Sequence, residues 1–270
     1  MKRRIKLVAI DLDGSLLTSQ DTITERTVQA VRGLISRGII LVVATGRMFC
    51  SAKKFALLFG PHTPVIAYNG AWISYAQGKL LSHKPIPLDL ARETLDFFKK
   101  RDWYVQSYID DVLYVRELND KAITYARHSD VTPVVAGDKL YNPEKEPTKL
   151  LAVADDVNET ERMKDEIKSH FNDRLFVAIS SPLYIDMGNP ETNKGKALTF
   201  LAGHFEITRD EICVIGDSEN DISMFQAAGV SIAMGNARED VKAQATFVTA
   251  SNDEDGVALA IEHVIISDLL

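Results

Sequence analysis

The sequence predicts an α/β fold, a doubly wound core with a parallel sheet into which an α+β segment is inserted. Three observations carry this. Short apolar runs at Ile5 to Ile10, Ile39 to Val43 and Ile212 to Ile215 alternate with segments of helical periodicity. Such runs are the pattern of strands buried on both faces, and the alternation is that of βα units. It breaks once, between His83-Lys84-Pro85-Ile86-Pro87 and Gly188-Asn189-Pro190, and then resumes.

The elements follow in order. Ile5 to Ile10 reads as a buried strand that delivers Asp11 at its C-terminal end. Thr22, with Glu25 three residues on, marks a capping-box helix start; Val28, Val31, Leu34 and Ile35 form its apolar face and Gly38 ends it. Ile39 to Val43 is a second strand, followed by Ala44-Thr45-Gly46-Arg47 and a helix. A third strand, Val65 to Ala67, ends in Tyr68-Asn69-Gly70.

Inside the insert, a helix over Leu88 to Arg101 leads to strands at Trp103 to Ile109 and Val112 to Val115, with Asp110-Asp111 as the turn. A helix over Asn119 to His128, a strand at Lys149 to Ala154, a helix over Asn158 to Phe171 and strands at Leu175 to Ser180 and Leu183 to Met187 complete it. A helix from Asn193, the strand Ile212 to Ile215, a helix after Gly216-Asp217, and strands at Val230 to Ala233 and Phe247 to Val248 return to the alternating pattern. Residues 1–83 and 188–270 are thus read as one core, and 84–187 as a second domain.

Composition narrows the function. A chain of 270 residues that is 46% hydrophobic can bury a large core. The net charge of -7, without blocks of one sign, argues against nucleic-acid binding. Cys50 and Cys213 lie in apolar stretches without metal-ligand spacing, which fits reduced thiols in a cytoplasm. The basic start Met1-Lys2-Arg3-Arg4 is followed by an apolar run cut short at Asp11, too soon for a signal core, and no segment approaches membrane-spanning length.

In open parallel sheets, ligands bind beyond the carboxyl ends of the strands. Four such ends are polar here. In Asp11-Leu12-Asp13-Gly14 the carboxylates are two apart, so on an extended segment both face one ligand or metal; the alternative is a simple polar turn. Thr45-Gly46-Arg47 offers a hydroxyl and backbone N–H groups for phosphate oxygens at a helix start, or else ordinary capping by Thr45. Lys194 lies near a helix start, where a cation opposes the dipole, so it is either functional or a solvated surface lysine. Gly216-Asp217-Ser218-Glu219-Asn220-Asp221 places one carboxylate at a strand tip with Asn220 and Asp221 behind it, or is a cap formed by Ser218 or Asp217. Carboxylates on two strand ends make an oxygen-rich site suited to magnesium.

These four ordered motifs resemble those of the haloacid dehalogenase superfamily. Asn69-Gly70 and the placement of the insert resemble its Cof-type phosphatases, which have a Rossmann-like core and a type IIB α/β cap. The resemblance covers nearly the whole chain. It implies that Asp11 is the nucleophile and that Asp13 protonates the leaving oxygen and later deprotonates water. It implies Mg2+ held by Asp11, the carbonyl of Asp13 and Asp217. Leu12, Thr45, Gly46, Lys194 and Asn220 would bind the phosphoryl group, with Asp221, Arg47 and Asn69 in support. The insert would cover the site. Ser15, where the family usually has Thr, and Asn193, where the subfamily often has Asp, depart from the pattern.

The implied function is Mg-dependent hydrolysis of a small phosphorylated metabolite, a sugar phosphate first, with nucleotides or phosphorylated cofactors as other choices. No membrane, nucleic-acid or obligate protein partner is implied. The rival readings are a phosphomutase and a noncatalytic phosphoacceptor signalling module.

Overall fold

The computed structural model describes residues 5–262; the basic Met1-Lys2-Arg3-Arg4 start lies outside them. In chain order the elements are β1 (Leu7–Asp11), α1 (Glu25–Ser36), β2 (Ile40–Ala44), α2 (Phe49–Leu57), β3 (Pro64–Ala67), β4 (Trp72–Tyr75) and β5 (Leu80–His83). The insert follows with α3 (Leu88–Arg101), β6 (Val105–Ile109), β7 (Val112–Val115), α4 (Asp120–Ser129), β8 (Val134–Val135), β9 (Lys149–Val153), α5 (Val157–Phe171), β10 (Phe176–Ser181) and β11 (Tyr184–Gly188). Then come α6 (Lys194–His204), β12 (Ile212–Gly216), α7 (Ile222–Ala227), β13 (Val230–Ala233), α8 (Glu239–Lys242), β14 (Phe247–Val248) and α9 (Gly256–Leu259).

Two compact units result. The first takes the residues up to Arg47, Ala52–Ser82 and those from Asn193 on; the second takes Met48–Ser51 and His83–Thr192. Each has its own sheet and apolar core.

The first unit's sheet runs β14-β13-β12-β1-β2-β3-β4-β5 and is parallel from β14 to β3. Every residue of β1 is buried, as expected of a central strand covered on both faces. After β1 the chain builds outward through β2 and β3, and later returns to β1's other side as β12. The strand order therefore reverses at β1 and β12, which puts Asp11 and Asp217 at the crevice where such sheets hold ligands.

The hairpin of β4 and β5 is absent from the sequence reading. Tyr68, Asn69 and Gly70 have φ of 51°, 53° and 102°, and three successive left-handed residues reverse the chain, so Ala67 pairs with Trp72 in antiparallel register. A second difference is at the start of α1. The cap is Thr24, whose hydroxyl accepts from Thr27 N at 3.2 Å, while Thr22 is engaged by Thr18 at 2.9 Å in the turn before it. Glu25 is consequently the first helical residue and completes no capping box.

The second unit's sheet runs β10-β11-β9-β6-β7-β8. Asp110 and Asp111, with φ of 52° and 62°, turn β6 into β7, a conformation Asp tolerates better than most residues. Leu150, Ala152, Ile185 and Met187 point from this sheet into a core shared with Phe98, Ile167 and Phe171. Among the described residues, no helix is long and apolar enough to cross a membrane.

Candidate active site

The site is built where β1, β2 and β12 end side by side. β1 stops at Asp11, and Leu12–Leu16 then winds into one wide turn in which Gly14 takes φ 74°. A side chain at Gly14 would be strained there, and its Cβ would stand 2.5 Å from Asp217 Oδ2. The glycine thus lets the Asp11 loop and the Asp217 loop meet. Asn236, in the loop after β13, ties this turn down by donating to the Gly14 carbonyl at 2.9 Å.

The turn also separates the two carboxylates that extended spacing had placed on one face. Asp13 has left the strand, and the two side chains take different partners. Asp11 is buried and accepts from Lys194 Nζ at 2.5 Å. Asp13 is half exposed and paired with Arg47, whose Nε lies 2.8 and 3.0 Å from its two oxygens.

Lys194 is the first helical residue of α6 and is 1% exposed, so it is no surface lysine. Its ammonium opposes the helix dipole and is held instead by Asp11, by Asp221 at 2.7 Å and by Asn220 Oδ1 at 3.2 Å. Burial alone pulls a lysine's pKa down; here Asp11 and then Asp221 outweigh it, and the ammonium is held above its usual value. Asn193 caps α6 by accepting from Lys196 N at 2.7 Å, so the departure from Asp at that position falls on the cap and not on the lysine's charge partners.

Asp221 is completely buried. Its Oδ1 takes Lys194, and its Oδ2 accepts from the backbone N–H of Asp217 and of Ser218, each at 3.0 Å. With both oxygens engaged, it braces the loop after β12. Ser218 caps the turn Glu219–Asp221 reciprocally with Asp221, which leaves Asp217 free of capping and turned toward Asp11. Ser15 donates to Asp217 Oδ1 at 2.8 Å, the same service a threonine hydroxyl would perform.

Oxygens of Asp11, Asp217 and Asp221 lie within 4.8 Å of one another. Three carboxylates around one ammonium leave a net charge of -2 when all are ionised. Desolvation first, and then Asp221, push Asp11 well above the usual carboxylate range. Desolvation is also the largest influence on Asp217, with Asp221 adding to it; together they raise it to about 6 against the Ser15 hydrogen bond. Hard oxygen donors with uncompensated negative charge are what a divalent cation such as magnesium requires. The donor set therefore fits such a cation, which Asp11 and Asp217 could hold through their side chains with Asp221 behind them.

The remaining predicted residues fall nearby with varied roles. Thr45 is buried, but α2 begins only at Phe49, so the expected capping position at a helix start is corrected. Its hydroxyl instead accepts from Arg47 N at 3.0 Å, closing a local turn. Gly46 packs on the Asn69 amide, where a Cβ would stand 3.0 Å from Oδ1. Asn69 accepts from Asn220 Nδ2 at 2.9 Å and donates its own N–H to the Thr45 carbonyl at 3.0 Å, linking the ends of β2, β3 and β12. The Leu12 side chain is buried, so only its backbone is placed to serve a ligand. Asp21 and Asn236 were missed by sequence reasoning. Asn236 was detectable by the same rule, since Gly235-Asn236 follows β13 much as Gly216-Asp217 ends β12; Asp21 carried no signal.

A sequence profile of the haloacid dehalogenase-like hydrolases matches residues 8–261. The chain is 30% identical over 285 residues to the 5-amino-6-(5-phospho-D-ribitylamino)uracil phosphatase YwtE of Bacillus subtilis, covering 97% of this chain and 98% of that protein. Among solved structures, a Thermotoga maritima protein superposes with a TM-score of 0.87 at 34% identity, over 96% of this chain and 97% of that one. A haloacid dehalogenase subclass IIB sugar phosphatase superposes with a TM-score of 0.79 at 25% identity, over 96% and 98%. Motifs, fold and whole-length likeness agree, and the chain belongs to the haloacid dehalogenase-like hydrolases, in their Cof-type branch.

Proposed function

We propose that this hydrolase is a magnesium-dependent phosphatase that removes the phosphoryl group of a small metabolite, a sugar phosphate first, through an aspartyl phosphate on Asp11. The observation that carries this reading is the buried Asp11 carboxylate at the tip of the central strand, paired with Lys194 and facing Asp217.

In the first half-reaction an Asp11 oxygen attacks phosphorus, the bond from phosphorus to the ester oxygen breaks, and a proton held by Asp13 passes to that oxygen. In the second, Asp13 takes a proton from water, the water oxygen attacks phosphorus, and phosphate leaves with Asp11 restored. Lys194, already desolvated and fixed, offsets charge on the phosphoryl oxygens without reorganising. Thr45, Asn220 and the backbone of Leu12 and Gly46 hold the same group. Magnesium on Asp11, Asp217 and the Asp13 carbonyl would supply further charge neutralisation at the phosphoryl group.

Support for the substrate class comes from relatives that act on a phosphorylated ribityl compound and on sugar phosphates. Selection among esters is assigned to residues 84–187, and the setting to a cytoplasm. The test is steady-state turnover of p-nitrophenyl phosphate with magnesium, followed by a screen of phosphorylated metabolites. Catalytic release of phosphate supports the reading; at most one phosphoryl group accepted per chain would sink it.

A further inference from the structure

Arg47 is built into the site more firmly than a surface ion pair requires. Its N–H donates to Thr45 Oγ1 and its carbonyl accepts from Tyr68 N, each at 3.0 Å, so its backbone is pinned on both sides. Its guanidinium stands 5.9 Å from the Phe55 ring centroid, and only 21% of its side chain is exposed. From this base Nε bridges both oxygens of Asp13, and Nη2 donates to Asp13 Oδ1 and, at 2.7 Å, to Asp21 Oδ1. Thr45 Oγ1 adds a longer contact to Asp13 Oδ2 at 3.4 Å.

Asp21 is presented by a tight turn. Thr18 N donates to the Thr22 carbonyl at 2.8 Å, Asp21 N donates to the Thr18 carbonyl at 3.0 Å, and Asp21 itself takes φ 55°. The turn has no other part in the site described above.

We propose that Asp21 and Arg47 form a clamp that positions the carboxyl group of Asp13 for proton transfer, and that Arg47 acts through Asp13 and not by contacting the phosphoryl group. The inference rests on the reading of Asp13 as the proton carrier. Asp13 lies half exposed in a wide turn, where a free side chain would sample several rotamers, and misplacement of a reacting group by about 1 Å can cost on the order of a hundredfold in rate. An ordinary exposed ion pair is too weak to prevent this, because two long side chains must be ordered to form it. Arg47 is ordered already by its backbone contacts and by Phe55.

The planar fork then fixes the carboxylate in two directions at once, which a lysine cannot do. Asp21 anchors the guanidinium independently of Asp13, so the fork stays aimed while Asp13 exchanges its proton. Two carboxylates on one guanidinium also leave it electrically satisfied, which makes Arg47 a poor candidate for a phosphate ligand.

The experiment compares kcat/KM for p-nitrophenyl phosphate and phenyl phosphate, which are alike in shape but differ in how much the departing oxygen needs a proton. Because kcat/KM reports steps through loss of the alcohol, it isolates the first half-reaction. Arg47→Met and Arg47→Lys should each lose roughly tenfold more on phenyl than on p-nitrophenyl phosphate, a fraction of the roughly 10²–10⁴-fold a general acid contributes, because Asp13 itself is retained. Asp21→Asn, which keeps the left-handed turn residue acceptable, should shift the ratio the same way by about threefold. In an Asp13→Asn background, Arg47→Met should no longer change the ratio.

Equal losses on both esters, or a full Arg47 effect without Asp13, would overturn the clamp while leaving the phosphatase standing. Should Arg47→Met fail to fold, an unchanged ratio in Asp21→Asn overturns it alone. A wild-type protein that turns over neither ester refutes the phosphatase reading, and the clamp falls with it.

Discussion

Each of the two units buries a lysine against aspartate, and the difference between them separates a structural pair from a reactive one. In the inserted unit, Lys149 Nζ meets Asp186 Oδ1 at 2.7 Å, Ser180 donates to the same oxygen at 3.0 Å, and the ammonium lies 5.6 Å from the Tyr108 ring centroid. One cation meets one anion. In the core, Lys194 serves Asp11 and Asp221 with Asp217 beside them, so negative charge is left over. Burying unpaired charge costs several kcal/mol per ion even after relaxation, so such an excess survives only where something else balances it. A balanced pair reads as architecture, and an unbalanced cluster as a site suited to a cation.

The largest effects should therefore follow from unbalancing either cluster further. Lys194→Met leaves buried carboxylates facing each other and should cost about 3–5 kcal/mol in urea unfolding of metal-free protein. Lys149→Met alone should cost a similar amount, roughly 3–5 kcal/mol, by stranding Asp186. The double change Lys149→Met with Asp186→Leu should recover that loss, because an apolar replacement of a buried pair is often neutral or stabilising. If the double variant stays as weak as the single one, the pair has a role beyond charge balance and the comparison fails.

A pH titration sharpens the contrast. Asp217 is raised to about 6 in the metal-free site, so its contribution to stability is present below the ordinary value of 3.8 and lost as pH rises through about 6. Chelator-treated wild type should thus lose thermal stability over that interval relative to Asp217→Asn. Magnesium should restore it at neutral pH and do so progressively less below pH 6, where protons compete for the carboxylate. A magnesium-induced rise in Tm that is equal on both sides of that pH would place the metal elsewhere.

Ser15→Ala should have the smallest effect. Removing the donor to a partly solvated carboxylate costs about 1 kcal/mol and should weaken magnesium binding only several-fold by isothermal titration.

How much of this was legible depended on the range of the interaction. Apolar runs ending in polar residues exposed β1, β2, β3 and β12, and with them Asp11, Thr45 and Asp217, because strand burial and strand-end chemistry are written in neighbouring residues. Thr22 and Thr24 are both plausible caps by type; the choice was made by Thr18, which occupies Thr22. The antiparallel turn from β3 into β4 was hidden because three left-handed residues at Tyr68 to Gly70 cannot be inferred when only one is glycine. The splitting of Asp11 from Asp13 was hidden too, since it depends on Lys194 and Arg47, which lie 183 and 34 residues away along the chain.

On the proposed mechanism, Asp11 carries the phosphoryl group during turnover. This is tested most directly by mixing the Asp13→Asn variant with p-nitrophenyl phosphate and magnesium, quenching in acid, and mapping phosphorylation by peptide mass spectrometry. Loss of the base should slow hydrolysis of the intermediate more than its formation from so good a leaving group. One phosphoryl group is expected on Asp11, absent when Asp11 is also changed to Asn. Phosphate released with burst kinetics but a phosphoryl group on another residue, or full turnover by Asp11→Asn alone, would contradict it.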